Sequence, residues 1–298
     1  VYGGVEAGGT KLVAVLGTGP GAIADMARIE VRGPDETLAA AIDFFRSAVA
    51  RGIRLEALGV GSFGPVELRP GHQGFGRITA TPKPGWAGTD MVGPFAAALG
   101  VPVGFDTDVN AAALGEGRWG AARGLRSFVY LTIGTGIGGG AVVDGRLLHG
   151  LGHPEMGHVA VGRRAGDDFA GVCPFHGDCF EGMASGPALA ARFGRRAEDL
   201  LEGDRAAAVA LVAHYLAAGV RTLVYTVAPE RVVVGGGVAT LPGLIPAARA
   251  ALVEALAGYA SLPEHADESF LVPADLGQMA GPAGALILAQ QAAEAARG

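Results

Sequence analysis

His158, Cys173, His176 and Cys179 are four metal-capable side chains spaced H-x14-C-x2-H-x2-C, and they include the only two cysteines of the 298-residue chain. Neutral imidazoles and thiolates suit a tetrahedral Zn²⁺, and four protein ligands leave no open position, so the chemistry would be structural closure of a loop. Gly166, Asp167, Asp168, Gly171 and Pro174 mark the stretch as loop, where a packed core is not expected to hide such groups. Two other readings compete: buried cysteines beside surface histidines, and a Cys173–Cys179 disulfide, although two cysteines do not make a disulfide-built fold.

Glycine turns are the second chemical signal. Those at 8–9, 134–140 and 235–237 follow or join apolar runs, and each could offer backbone N–H groups to phosphate oxygens. Taken singly, each could equally be an ordinary hairpin. Together with Thr10, Lys11, Thr132 and Thr135 they point to a nucleotide. The dipeptide Gly-Lys never occurs, which excludes a P-loop. Residues 59–64 and 134–139 both spell G-x-G-x-x-G, yet the first runs into Pro65 and the second into a strand, where a dinucleotide site needs a helix.

Carboxylates supply the third. Asp108 falls where a strand hands over to a helix, the usual ligand side of an open α/β sheet, and is the candidate general base. Asp106 and Asp108 are both good helix caps by composition, and spacing does not separate them. Glu155, His158 and Glu181 form a polar cluster tied to the four-ligand loop, suited to accepting hydrogen bonds from sugar hydroxyls. A solvated loop with scattered acids is the plainer alternative.

The elements that must position these groups alternate between strand and helix. Residues 3–7 and 11–16 read as a hairpin, 35–51 as a helix opened by Pro34 and Asp35, and 55–60 as a buried strand. A strand over 101–105 precedes a helix over 111–117. Strands over 127–133 and 140–143, followed by the Asp144-Gly145 hairpin signal and residues 146–148, repeat the opening layout, a weak internal duplication that suggests two related α/β lobes. A long helix over 206–226, a strand over 231–234 and a terminal helix over 283–296 complete the reading. The lobes are expected at 1–117 and 118–282, with the metal loop over 153–182 and the terminal helix packing back on the first lobe.

Composition narrows the class. Half the residues are hydrophobic, enough for a sizeable core, and a soluble globular protein of the cytoplasm is expected. No basic-then-apolar leader is seen, and apolar stretches are read as interrupted before the ~18 residues a membrane span needs. A net charge of −6 without a Lys/Arg cluster lacks the electrostatic footprint of nucleic-acid binding.

Taken together, the segments resemble the ROK family of sugar kinases, in particular its bacterial fructokinase branch. The resemblance is carried by residues 4–11 (GVEAGGTK), 106–112 (DTDVNAA), 132–140 (TIGTGIGGG), 155–158 (EMGH) and 173–182 (CPFHGDCFEG). The last is the most specific, because glucokinases and N-acetylhexosamine kinases of the family usually carry three cysteines where this chain has Cys173, His176 and Cys179. The family implies an α/β fold of the two-lobed actin/hexokinase type (ribonuclease H-like), with ATP and sugar in a cleft between lobes. It implies Asp108 as the base toward fructose O6, and Glu155, His158 and Glu181 near the sugar, with Asn110 and residues 81–86 as weaker candidates. Gly9, Thr10, Lys11, Thr132, Gly134, Thr135, Gly136, Pro187, Gly235, Gly236 and Gly237 would surround the nucleotide, with Mg²⁺ bridging its phosphates. A homodimer is implied too. Glu6 stands where many members have Asp, and Thr107 where many glucokinases have Asn, a change that bears on hexose choice. Within the family, kinases of mannose or glucose and non-catalytic sugar sensors are the alternatives to a fructokinase.

Overall fold

Antiparallel strands β1 (Tyr2–Ala7) and β2 (Lys11–Gly17) open the chain, with Val5 opposite Ala14 and the Gly8 amide donating to the Lys11 carbonyl at 3.0 Å across the turn. The structure, a computed structural model, describes residues 1–298. Strand β3 (Ile23–Glu30) extends the hairpin; half-buried and exposed residues alternate along it, and Asp25, Arg28 and Glu30 blunt it as an edge. Helix α1 (Pro34–Ala50) starts on Pro34 with Asp35 and Glu36 in its first turn, which suits the positive end of the helix. Strands β4 (Leu58–Ser62) and β5 (Val103–Thr107) add parallel to β1, giving the order β3-β2-β1-β4-β5. Helix α2 (Gly93–Leu99) precedes β5 and α3 (Asp108–Trp119) follows it directly.

The second sheet repeats this topology. Strands β6 (Phe128–Ile133), β7 (Ile137–Val143) and β8 (Arg146–Leu147) are antiparallel neighbours, while β9 (Arg231–Gly235) and β10 (Leu271–Pro273) run parallel to β6, in the order β10-β9-β6-β7-β8. Helices α4 (Phe180–Ala184), α5 (Gly186–Phe193) and α6 (Glu202–Val227) lie between β8 and β9; α7 (Leu244–Leu256) follows β9 and α8 (Ala280–Ala295) follows β10.

Three expectations from the sequence shift. The strands placed at 55–60 and 101–105 begin two or three residues later, at Leu58 and Val103, so Asp106 and Thr107 belong to β5. Gly138, Gly139 and Gly140 lie within β7, and only Gly134–Gly136 is turn. Helix α6 is by length and composition apolar enough to cross a membrane, which the interrupted-stretch reading missed; two thirds of that apolar window, 67 %, is buried in the protein, as in a core helix.

The chain divides into two units, one of Val1–Gly120, Leu148–His153 and Gln278–Gly298, the other of Ala121–Leu147 and Pro154–Gly277. Residues 148–153 thus depart from the boundary drawn at 117. The reason is polar: His149 pairs with Asp106, and His153 Nε2 accepts from the Val66 amide at 3.0 Å.

In the first unit, helices cover both faces of the sheet. Leu38, Ala41 and Phe45 of α1 pack with Val5, Leu12, Leu58 and Val60 on one face; Leu286 of α8 packs with Val13 and Val15 on the other. Each such buried Val, Leu or Phe contributes roughly 1.5–3 kcal/mol. Glycines set the spacing on the α8 side. A Cβ on Gly59 would lie 1.8 Å from the Ala285 carbonyl oxygen, and one on Gly284 would lie 1.6 Å from that of Ala111 in α3. Backbone against backbone cannot yield as a flexible side chain can. Gly284→Ala is therefore expected to destabilise the protein by about 3 kcal/mol in a denaturant melt, a cost set by overpacking.

Candidate functional site

Strand β5 hands over to α3 through Thr107, whose Oγ1 accepts from the Asn110 amide at 3.1 Å. The cap is thus neither aspartate. Asp106, 4 % exposed, accepts from the Thr107 amide at 2.7 Å, from Asn110 Nδ2 at 2.6 Å and from His149 Nε2, 2.9 Å away. Both its oxygens are engaged, and it raises the His149 imidazole above its ordinary value. Asp108 accepts from the Val109 amide at 2.9 Å, a contact within its own turn. Desolvation by the surrounding protein pushes its carboxyl up to about 6, against the pull of that amide. Of two acids that spacing left equivalent, one has its oxygens occupied and the other keeps acceptor capacity and a raised affinity for protons.

Asn110 is 1 % exposed, with its Oδ1 buried and unpartnered within the protein. The reverse amide orientation would set that oxygen against Asp106, so the orientation is fixed by charge. Glu6, on β1, is desolvated and senses the Asp108 charge, which together push it up to about 7 while Lys11 pulls the other way. Gly9, Thr10 and Lys11 are exposed at the β1–β2 turn. Lys11 Nζ reaches Gln278 Oε1 at 3.2 Å, and Lys83 Nζ donates to the Gly9 carbonyl while lying 4.9 Å from the Phe63 ring centroid and 5.1 Å from that of Trp86.

The second unit gathers the other glycine turns. Gly134 closes on Gly136 through an N–H···O bond of 2.8 Å, and its carbonyl accepts from the Gly186 amide at the start of α5 at 2.7 Å. Ser185 caps that helix, and Pro187 is exposed in its first turn. Thr132 pairs with Gly235 across the β6–β9 ladder, so Gly235, Gly236 and Gly237 leave the sheet beside the strand that leads to Gly134, Thr135 and Gly136. Several backbone segments with little side-chain cover are thus brought together, as an anion such as phosphate requires.

The four-ligand loop is assembled in the same unit. Ligand atoms of His158, Cys173, His176 and Cys179 all lie within 4.8 Å of one another. Cys173 Sγ is 3.7 Å from both His158 Nδ1 and His176 Nδ1, and Cys179 Sγ is 3.6 Å from His158 Nδ1. A tetrahedral zinc with ordinary bond lengths sets S to N edges of about 3.6 Å, so the donor set fits that ion. Both thiols are free rather than joined in a disulfide, and both are buried despite the loop setting. Burial pushes Cys179 up to about 11, which makes a bare thiolate costly there and a cation the natural partner. Glu155 is exposed just before the turn Met156–His158, and Glu181 Oε2 accepts from the Ile137 amide at 2.9 Å.

Sequence reasoning missed two groups and reached a third, Lys83, only within the weaker 81–86 segment. His149 carries no motif. Arg192 makes paired 2.8 Å bonds to Asp167, stacks 3.9 Å from the Phe169 ring centroid and so anchors the metal loop to α5. In the sequence only the Asp167-Asp168 dipeptide, a loop marker by composition, hints at that anchor.

Both raised carboxyls have a consequence for stability. Unfolded, Glu6 and Asp108 titrate near ~4; folded, they hold protons to about 7 and about 6. The folded state therefore binds more protons across that window, and stability falls as pH rises through it. Glu6→Gln is expected to melt above the wild type at pH 8, with the difference fading toward pH 5, as calorimetry at the two pH values checks.

Known proteins give this geometry its context. A fructokinase of Zymomonas mobilis is 42 % identical over 292 residues, covering 97 % of this chain and 96 % of the relative. A fructokinase of Pediococcus pentosaceus is 37 % identical and covers 98 % of each chain. The crystal structure of a ROK hexokinase from Thermus thermophilus superimposes with a TM-score of 0.79 at 31 % identity, covering 100 % of this chain and 99 % of that one. With the ROK family pattern matched across residues 2–292, the chain belongs to the ROK family.

Proposed function

We propose that this protein is an ATP-dependent fructokinase that transfers the γ-phosphoryl group to O6 of D-fructose, with Asp108 as general base. The observation that carries the assignment is the contrast at the β5–α3 junction, where both oxygens of Asp106 are engaged by three donors while Asp108 accepts only from the adjacent Val109 amide. Asp108 would take the O6 proton as the O6–phosphorus bond forms and the bond from γ-phosphorus to the bridging oxygen breaks, leaving ADP. A loose phosphoryl-transfer transition state needs positioning and charge neutralisation more than covalent help. Mg²⁺ supplies part of that neutralisation when bound with ATP, and Glu6 is the carboxylate of the first unit that would face it.

Site roles follow the residue chemistry. Glu155, His158 and Glu181 offer acceptors and a ring suited to sugar hydroxyls. Asn110, being buried, would act on the sugar through the arrangement of Asp106 and His149. Gly9, Thr10 and Lys11, the turn Thr132 to Gly136, Pro187 and the run Gly235 to Gly237 would surround the nucleotide. His158, Cys173, His176 and Cys179 would hold a structural Zn²⁺. A homodimer and a cytoplasmic location accompany this reading, with sugar and ATP as its small-molecule partners. The fructokinase names of the relatives support the substrate, whereas the likeness to a hexokinase favours a second reading, a kinase acting mainly on mannose or glucose.

Initial-rate ATP consumption with Mg²⁺ across fructose, mannose, glucose and no sugar separates the two, and dominant turnover on fructose is expected. Asp108→Ala should lower kcat about a thousandfold with the fold retained, the scale of a lost general base. For the wild type, kcat/KM should rise with pH through about 6 and level off above it, because the base acts deprotonated. Near-normal turnover by the variant would remove Asp108 from the role. Elemental analysis should find about one zinc per chain, as a closed four-ligand site requires.

A further inference from the structure

We propose that Glu181 is a positioning residue for the nucleotide turn, fixing the Ile137 amide and tying that turn to the four-ligand loop. The inference rests on the nucleotide reading of Gly134–Gly136 given above.

Glu181 lies in the first turn of α4, two residues past Cys179. Its Oε2 accepts from the Ile137 amide at 2.9 Å, where the turn enters β7. A Cβ on Gly136 would lie 2.6 Å from the same oxygen, so the carboxylate is packed directly against the turn. The far end is held from the junction of α4 with α5. The Ser185 amide donates to the Glu181 carbonyl at 3.1 Å, and the next amide, Gly186, donates to the Gly134 carbonyl at 2.7 Å. A third contact comes from the other side of the loop: Gly157, adjacent to His158, packs so closely that a Cβ would lie 1.7 Å from the Ile137 carbonyl oxygen.

Gly134 and Ile137 are thus gripped at positions one to two residues from two of the loop's four ligands or immediately after α4, with exposed Thr135 between them. A short glycine turn loses much conformational entropy when it orders around an anion, and clamps that order it beforehand reduce that loss. A charged acceptor on a backbone amide is among the stronger clamps available. Glu181 in this role acts on nucleotide affinity in the absence of sugar, which a sugar contact alone would not do.

The test uses the full chain with Glu181→Ala and Glu181→Gln. A non-hydrolysable ATP analogue with Mg²⁺ is titrated calorimetrically without sugar, and hydrogen exchange is followed at the Ile137 amide. Expected for the alanine variant are about tenfold weaker binding, the scale of one lost charged hydrogen bond, and faster exchange at Ile137. The glutamine variant, whose amide oxygen still accepts, should recover most of both. Should the alanine variant fail to fold, Glu181→Asp, one methylene short of the amide, is read in the same way. Wild-type affinity in the alanine variant, or a change confined to KM for fructose, overturns the proposal. Failure of the wild type itself to bind the analogue overturns instead the nucleotide reading on which it rests.

Discussion

The Asp106 carboxylate is the interaction on which the β5–α3 junction of the first unit depends. Its two oxygens take donors from the backbone at Thr107, the amide of Asn110 and the ring of His149, so one buried charge fixes the end of β5, the first turn of α3 and the returning segment 148–153. A buried carboxylate without such partners would be costly, and with them it becomes a rigid reference point. Asp108, two residues on, inherits that rigidity without sharing the hydrogen bonds. Burial is what raises the proton affinity of Asp108, while the neighbouring acid is committed to hydrogen bonds that hold the junction together.

The second unit solves a different problem with similar means. Its glycine turn carries no side chain large enough to hold itself, so order is imported from α4 and from the turn Met156–His158. Both supports lead into the metal-capable loop, and that loop is anchored once more by the paired bonds of Arg192 to Asp167. Much of the connection between β8 and β9, absent from the equivalent place in the first sheet, is thus given to supporting a few residues of backbone.

How legible this was in the sequence depended on the range of the forces involved. The opening hairpin, α1, α6 and β9 were readable because periodicity and turn residues are local signals, and they lie within a few residues of their expected places. The four-ligand loop was readable because scarce residue types cluster there. Strand β3 was not, since an edge strand with charges along it lacks a buried face to declare it. Nor was β10, only three residues long and ending in Pro273. The engagement of the second Asp106 oxygen depends on His149, 43 positions away by the numbering, and no local pattern carries it. Composition left the two aspartates equivalent; tertiary hydrogen bonds distinguish them.

Helix α8 has a further bearing, on how the protein is made. It comes after every strand of both sheets in chain order, yet it closes one face of the first, against Gly59 of β4 and Ala111 of α3. During synthesis from the N-terminus, β1 to β5 emerge early and must wait with the α8-covered part of that face exposed until residues 280–295 leave the ribosome. The second sheet needs no such wait for its own strands beyond β10. The unit synthesised first is thus the one completed last, and its apolar face, lined by Val13 and Val15, is where a nascent chain of this protein would most need a chaperone.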